Sequence, residues 1–268
     1  MRIIRFVDPQ GQIHWGTPQG SQQARILSGD LFGQLTQTDQ VATVSQLLAP
    51  LTPTNIFCIG ANYAEHARES GHQRPERPII FMKPTSSLNH PGQPILIPKC
   101  QMRGPEVDFE AELAVVIGKP AKNVPVEKAL DYVFGYTCGH DVSARRWQKE
   151  GGGGQWIRGK GFDTFCPLGP VLVTKDEIPD PQTLDISFRL NGQVMQRSNT
   201  ADMIFSVAFL ISFISQDTTL LPGTVIMTGT PEGVGAARDP KVFLKAGDVA
   251  QVEIANIGVL ENPVADAS

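Results

Sequence analysis

Glu106-Val107-Asp108-Phe109-Glu110-Ala111-Glu112-Leu113-Ala114-Val115-Val116-Ile117-Gly118 alternates acidic with apolar side chains, then runs wholly apolar into a glycine. Successive side chains of a strand point to opposite faces, so Phe109, Ala111, Leu113, Val115 and Ile117 share one face, the one turned to the core. Glu110 and Glu112 share the other, about 7 Å apart by two residue rises, with Asp108 within reach beside them. Two carboxylates so close repel unless something positive intervenes. A hard cation with oxygen ligands removes the repulsion and lets both stay ionised at neutral pH. A solvated acidic face, or pairing with arginine, satisfies the same alternation.

Downstream, Gly135-Tyr136-Thr137-Cys138-Gly139-His140-Asp141-Val142-Ser143-Ala144-Arg145 supplies a third carboxylate, Asp141, with Arg145 four positions on. Three carboxylates plus water fill the octahedral shell of Mg²⁺ or Mn²⁺ and leave positions open for a substrate that chelates. His140 adjoins Asp141, but neighbours on a strand face opposite ways, so it is not counted as a ligand. Arg145 is read as a partner for a substrate carboxylate, with an ordinary surface ion pair as the alternative.

Working outward, short apolar segments broken by Gly and Pro recur at residues 56–60, 79–82, 95–97, 111–117, 171–173, 184–190, 225–228 and 249–254, each read as a strand. Helical patterns are confined to residues 126–132 and 203–215, plus a short segment capped by Asn62 and stopped by Gly71. That is too few helices to alternate with the strands of a doubly wound sheet. The expected fold is mainly β with a few helices (α+β). Residues 1–52 read as a small N-terminal β subdomain closing on Pro50 and Pro53, and residues 53–268 as the main body. The four glycines at 151–154 read as a mobile loop, because no phosphate-cradle signature follows them.

With 41% hydrophobic and 19% charged residues, the 268-residue chain is an ordinary globular composition rather than a disordered one. Its net charge of -4 offers no broad field for nucleic acid or anionic lipid, so the expected partner is a small molecule. The longest apolar run, residues 203–214, is too short to cross a bilayer, which takes about 20 residues. Cys58, Cys100, Cys138 and Cys166 lack CxxC pairing and read as buried free thiols; with no signal-peptide core after Met1, the expected compartment is the cytoplasm.

Six segments, in order, carry a resemblance. They are Ile59-Gly60-Ala61-Asn62-Tyr63-Ala64-Glu65-His66, Lys83-Pro84-Thr85-Ser86, Asp108-Phe109-Glu110-Ala111-Glu112-Leu113, the run from Gly135 to Arg145, Gly159-Lys160-Gly161-Phe162-Asp163-Thr164-Phe165-Cys166-Pro167-Leu168-Gly169-Pro170, and Thr228-Gly229-Thr230-Pro231-Glu232-Gly233-Val234-Gly235. Over about residues 55–265 the chain resembles the fumarylacetoacetate hydrolase family, and the run from Lys160 to Pro170 is most similar to its domain-containing type 2 branch and their bacterial relatives. The resemblance implies a mixed β-roll, a homodimer and a Mg²⁺ or Mn²⁺ site held by Glu110, Glu112 and Asp141. It also implies that Lys160 lies beside the metal and the substrate oxygens, and that Arg145, Gln148 and Thr230 contact substrate. On residues alone, Lys160 reads equally as a loop lysine and Thr230 as part of an ordinary turn.

His66 and Glu69 lie three apart, on one helical face, where Glu69 can orient the imidazole and leave it free to take a proton; such pairs are also common on surfaces. In relatives that cleave C-C bonds, such a pair activates water from a segment that closes over the site. A 2-oxo acid offers two oxygens to one cation, which polarises the carbonyl and stabilises the enolate next to it. The leading expectation is therefore C-C hydrolysis of an acylpyruvate-type substrate. Tautomerisation or decarboxylation of oxaloacetate stands beside it, and the type 2 resemblance pulls toward these. A non-catalytic metabolite-binding protein of the same fold would show a broken ligand set or dyad, and neither is broken. The side chains that select the substrate are expected from residues 71–77 and 151–155.

Overall fold

The acidic alternation folds as two strands in separate sheets, Val107–Asp108 and Ala111–Ile117, with Phe109 and Glu110 bridging them. The computed structural model describes residues 1–69, 71, 73–101, 104–150, 154 and 156–268, so the four-glycine loop lies, apart from Gly154, outside the described residues.

In chain order the strands and helices are β1 (Arg2–Val7), β2 (Ile13–Pro18), β3 (Gln23–Gly29), β4 (Leu35–Thr43), β5 (Gln46–Leu48), β6 (Ile56–Gly60), α1 (Ala64–Glu69), β7 (Ile79–Lys83), β8 (Leu88–Asn89), β9 (Ile95–Ile97), β10 (Val107–Asp108) and β11 (Ala111–Ile117). They continue with β12 (Val133–His140), β13 (Ser143–Ala144), α2 (Arg145–Lys149), α3 (Trp156–Lys160), β14 (Cys166–Thr174), β15 (Asp185–Leu190), β16 (Gln193–Asn199), α4 (Val207–Ile214), β17 (Val225–Met227), β18 (Val249–Ile254) and β19 (Gly258–Asp266).

The fold is mainly β, with mixed sheets and few helices. A long sheet runs β4-β3-β2-β1-β14-β12-β11-β17-β6-β7, and a five-stranded sheet runs β16-β15-β18-β19-β9. Most pairs are antiparallel, but β17 joins β6 in parallel, as β19 joins β9. Strands β1 to β5 pair antiparallel, and β1 also pairs with β14 through Arg2 and Val173. The N-terminal strands therefore extend the long sheet of the main body.

All seven residues of β11 are buried. Val107, Phe109, Ala111, Leu113, Val115 and Ile117 pack in the larger apolar cluster, where Phe109 stacks flat on Phe188 of β15 with ring centroids 4.4 Å apart. Ala114 and Val116 face a second cluster with Ile56, Cys58, Cys166 and Met227. Each fully buried Phe contributes about 1.5–3 kcal/mol of apolar transfer, so β11 is anchored from both sides. Its N-terminal end, with Glu110 and Glu112, is held on a rigid support.

Several boundaries differ from expectation. The 203–215 pattern is α-helical only at Val207–Ile214, because Ser206 caps the helix by accepting from Phe209 N–H while Thr200–Asp202 forms a separate 3₁₀ turn. Asn62 caps no helix. Its side chain donates to Phe205 and Thr228 carbonyls and accepts from Phe205 N–H, tying three segments together. The segment 126–132 is 3₁₀. Strand β14 starts five residues before Val171, through Pro167, Gly169 and Pro170, residues that sequence punctuation takes for breakers. All four cysteines are free, and Cys58, Cys138 and Cys166 are buried, but Cys100 is exposed rather than buried.

Candidate active site

Antiparallel pairing explains why Asp141, 31 positions from Glu110, joins Glu110, just before β11, and Glu112 on it. Ala111 opposes His140 and Glu112 opposes Gly139. One step further, Asp141 N–H donates to Glu110 C=O at 3.0 Å, so Asp141 stands directly across from Glu110. Residues opposite each other in a sheet share a face. His140 takes the other face, where its ring lies 5.1 Å from Phe188, and burial followed by the nearby Lys83 charge lowers its pKa to about 3. It is a neutral core histidine. The result is that Glu110, Glu112 and Asp141, all buried, each place an oxygen within 4.8 Å of the others.

Cations surround the cluster unevenly. Lys160 donates to Glu110 at 2.7 Å and to Asp141 at 2.8 Å. It reaches the site because α3 packs tightly on α2: a Cβ at Gly159 would sit 2.5 Å from Gln148 N and 2.8 Å from Ala144 O, so only glycine permits this approach. Lys83, at the end of β7, donates to the other Asp141 oxygen at 2.5 Å and to Val142 C=O at 3.1 Å. Arg145 donates to Glu110 at 2.6 Å, to Asp108 at 2.7 Å and to Gln148 at 3.1 Å, and its buried Nη2 has no partner among the described residues. Asp108 thus turns away from the cluster and holds Arg145, aided by N–H donation from Gly235 at 2.7 Å and Ala236 at 3.0 Å.

Glu112 is different. Among the described residues its carboxylate accepts one hydrogen bond, from Gly229 N–H at 2.7 Å, and no ammonium or guanidinium forms an ion pair with it. Burial, reinforced by Asp141 and Glu110, pushes its carboxyl well above the ordinary value. Burial acts on Glu110 the same way, but Lys160 and Arg145 outweigh it and hold that carboxyl well below the usual range. For Lys160 burial favours the neutral amine, yet Asp141 and Glu110 keep it an ammonium. A buried oxygen donor set with one uncompensated carboxylate fits a hard divalent cation such as Mg²⁺ or Mn²⁺.

The dyad forms as spaced: His66 Nδ1 lies 2.8 Å from Glu69 Oε1, both on α1. A carboxylate accepts, so Nδ1 carries the proton in this pairing and Nε2 is the nitrogen free to exchange one. Thr230 is held by Gln196, whose amide donates to its Oγ1 and to Pro231 C=O, both at 2.8 Å. His66, Glu69, Glu110, Arg145, Gln148, Lys160 and Thr230 line one cavity of about 430 Å³. Of the expected site residues, Glu112 and Asp141 lie behind this surface. Gly154 is the described member of the expected selecting loops to reach it, and the apolar wall comes instead from Ile59, Phe81, Trp156 and Val234. Lys83 and Gln196 were not foreseen as site residues. Lys83 had a local signal, a charge closing an apolar strand; Gln196 had none.

Two family models match the chain: fumarylacetoacetate (FAA) hydrolase C-terminal over residues 55–265, and Rv2993c-like, N-terminal over residues 1–50. The protein named oxaloacetate tautomerase fahd2, mitochondrial, from Xenopus laevis is 55% identical over 219 residues, which cover 81% of this chain and 68% of that one. Oxaloacetate tautomerase FAHD2A, mitochondrial, from Homo sapiens is 50% identical over 218 residues, with the same coverage of 81% and 68%. Among solved structures, a 5-carboxymethyl-2-hydroxymuconate delta-isomerase from Mycobacterium smegmatis matches with a TM-score of 0.87 and 38% identity over 100% of both chains. Among the described residues, no helix is long and apolar enough to cross a membrane. The location in the names of the frog and human proteins is theirs, and it gives the cytoplasmic expectation no support.

Proposed function

The chain belongs to the fumarylacetoacetate hydrolase family, and from that premise we propose that it is a divalent-cation-dependent tautomerase of a small 2-oxo dicarboxylic acid, turning enol-oxaloacetate into the keto form. The observation that carries this is a complete constellation in and directly behind one cavity, in a chain 55% identical to a protein named oxaloacetate tautomerase. A protein that merely binds metabolites has no need of both an intact ligand set and an intact dyad.

Glu110, Glu112 and Asp141 would hold the cation, which when bound supplies positive charge that draws electron density from the 2-oxo group. Arg145 offers its unpartnered Nη2 to a substrate carboxylate, and Gln148 and the Thr230 hydroxyl fix its orientation. As the enol O–H proton leaves, negative charge collects on that oxygen, and the Lys160 ammonium opposes it. His66 Nε2, unprotonated in the dyad, accepts the enol O–H proton and returns it to C3, which becomes the CH₂ of the keto acid, so the imidazole ends as it began and the balance closes. Arg145→Lys is expected to raise KM about tenfold, since a single ammonium cannot span Asp108, Glu110 and a substrate at once. Steady-state kinetics checks this.

The 2.8 Å dyad also favours a second reading, water activation for C-C hydrolysis of an acylpyruvate. To separate the two, the protein with Mg²⁺ or Mn²⁺ is given enol-oxaloacetate, keto-oxaloacetate and a panel of acylpyruvates, followed by ultraviolet absorbance. Faster turnover of the enol than of any acylpyruvate supports tautomerisation, and the reverse order sinks it. His66→Ala is expected to slow tautomerisation about 10²-fold. Wild-type tautomerisation in that variant, with hydrolysis lost, confines the dyad to water activation.

A further inference from the structure

The loop after β17 sends backbone N–H groups to three carboxylates of the site: Gly229 to Glu112, Gly233 to Glu69, and Gly235 with Ala236 to Asp108. Glu112 is fixed by its strand as well, and Asp108 by Arg145. Glu69 has less support. It ends a six-residue helix, and besides the His66 ring its cavity-side anchor is the Gly233 N–H, 3.0 and 2.9 Å from its two oxygens. A carboxylate tied to an imidazole alone can rotate, and a second donor from a fixed peptide sets its plane.

That peptide is aimed by an unusual backbone. Gly233 has φ +94, and a Cβ there would meet Met195 O at 2.4 Å, so no other residue directs its N–H to Glu69. What holds it is Arg238. Its Nε donates to Gly233 C=O at 3.0 Å, and its Nη2 donates to Met195 C=O on β16. The guanidinium therefore bolts the loop to a strand of the five-stranded sheet. Among the described residues Arg238 lines no part of the active-site cavity and forms no ion pair.

We infer that Arg238 is a positioning residue: holding the Gly233 backbone at its C=O, it fixes the residue whose N–H binds Glu69, and through Glu69 the orientation of His66. The kinetic part rests on the dyad role proposed above, while the structural part stands on the contacts alone. The nearby anchors at Gly229, Thr230 and Gly235 are made with Glu112, Gln196 and Asp108 rather than with the Arg238 side chain, so loss of that side chain is expected to disturb the dyad and spare the carboxylate-binding groups.

Four variants test this: Arg238→Ala, Arg238→Lys, Glu69→Ala and the Arg238→Ala/Glu69→Ala double. Enol-oxaloacetate kinetics is run beside hydrogen exchange at the Gly233 amide. Arg238→Ala is expected to lower kcat roughly tenfold with KM nearly unchanged, as misplacement of a catalytic group does. Arg238→Lys regains part of the loss, and removing Arg238 in the Glu69→Ala background costs nothing further. Exchange at Gly233 speeds in Arg238→Ala and Glu69→Ala alike. Additive losses in the double variant, or a Gly233 amide still protected without Arg238, overturn the inference. If Arg238→Ala does not fold, Arg238→Lys carries the same test, with a protected amide at full kcat as the refuting result. The exchange needs no turnover, so a protein inactive on oxaloacetate but with the exchange pattern intact refutes the functional reading alone.

Discussion

Lys160→Met is expected to lower turnover about 10³-fold and to destabilise the protein, stripped of divalent cations, by about 3–5 kcal/mol. The ammonium bridges Glu110 and Asp141 at 2.7 and 2.8 Å, and all three side chains are buried. Methionine fills nearly the same volume, so the change isolates the charge. Removing one partner of a buried pair leaves the other uncompensated, and here two carboxylates lose a partner together. Lys83 still holds one Asp141 oxygen and Arg145 one Glu110 oxygen, which keeps the loss from being larger. For a chain of this length each kcal/mol moves Tm by about 2–4 °C. Saturating Mg²⁺ should narrow the gap, because a cation on the same oxygens restores the missing charge. Activity should stay lost. Thermal melts in chelator and in Mg²⁺ decide the matter: a variant as stable as wild type in chelator means that Lys160 does not compensate the carboxylates.

How much of this was legible beforehand depends on the range of the interaction. The two faces of β11 follow from alternation, which is local: Phe109, Leu113 and Val115 lie in one core, with Glu110 and Glu112 opposite. The break at Phe109–Glu110 was not legible, because nothing in the alternation marks where one sheet hands over to another. Asp141 required a register, and the sequence alone shows only that it follows the mixed stretch Gly135-Tyr136-Thr137-Cys138-Gly139-His140. His66 and Glu69 are three apart, so helix geometry sufficed. Gln196, acting on Thr230 from 34 positions away, and Arg238, acting on Gly233 through the backbone, leave no pattern to read. Asp108 shares the acidic alternation with Glu110, and only the folded positions of Arg145 and Gly235 show that it serves a different partner.

Glu112→Gln should separate stability from function in the opposite direction: a metal-free protein at least as stable as wild type, yet with divalent-cation affinity lowered about 100-fold and activity lost. Among the described residues, Glu112 is the carboxylate of the cluster with which no lysine or arginine forms an ion pair, and the Lys160 charge offsets its burial only in part. An amide keeps an oxygen to accept from Gly229 N–H and carries no charge to repel Asp141 and Glu110. Relief of that repulsion is worth about 1 kcal/mol or more in the absence of cation. The pH dependence has the matching sign. Burial, then Asp141 and Glu110, raise the folded pKa of Glu112, so the native state binds a proton that the unfolded chain has released above about pH 4.3. This group therefore makes the metal-free protein less stable as pH rises from there until the folded carboxyl ionises. Glu112→Gln removes that slope. Cation binding inverts the comparison, because the charge that was costly becomes a ligand, and wild type gains stability from Mg²⁺ that the variant does not. Calorimetric titration with Mg²⁺ or Mn²⁺, beside melts in chelator across the acid range, measures both sides. A variant that binds the cation as tightly as wild type removes Glu112 from the ligand set. One that is markedly less stable without cation means that its carboxylate was already compensated in the fold.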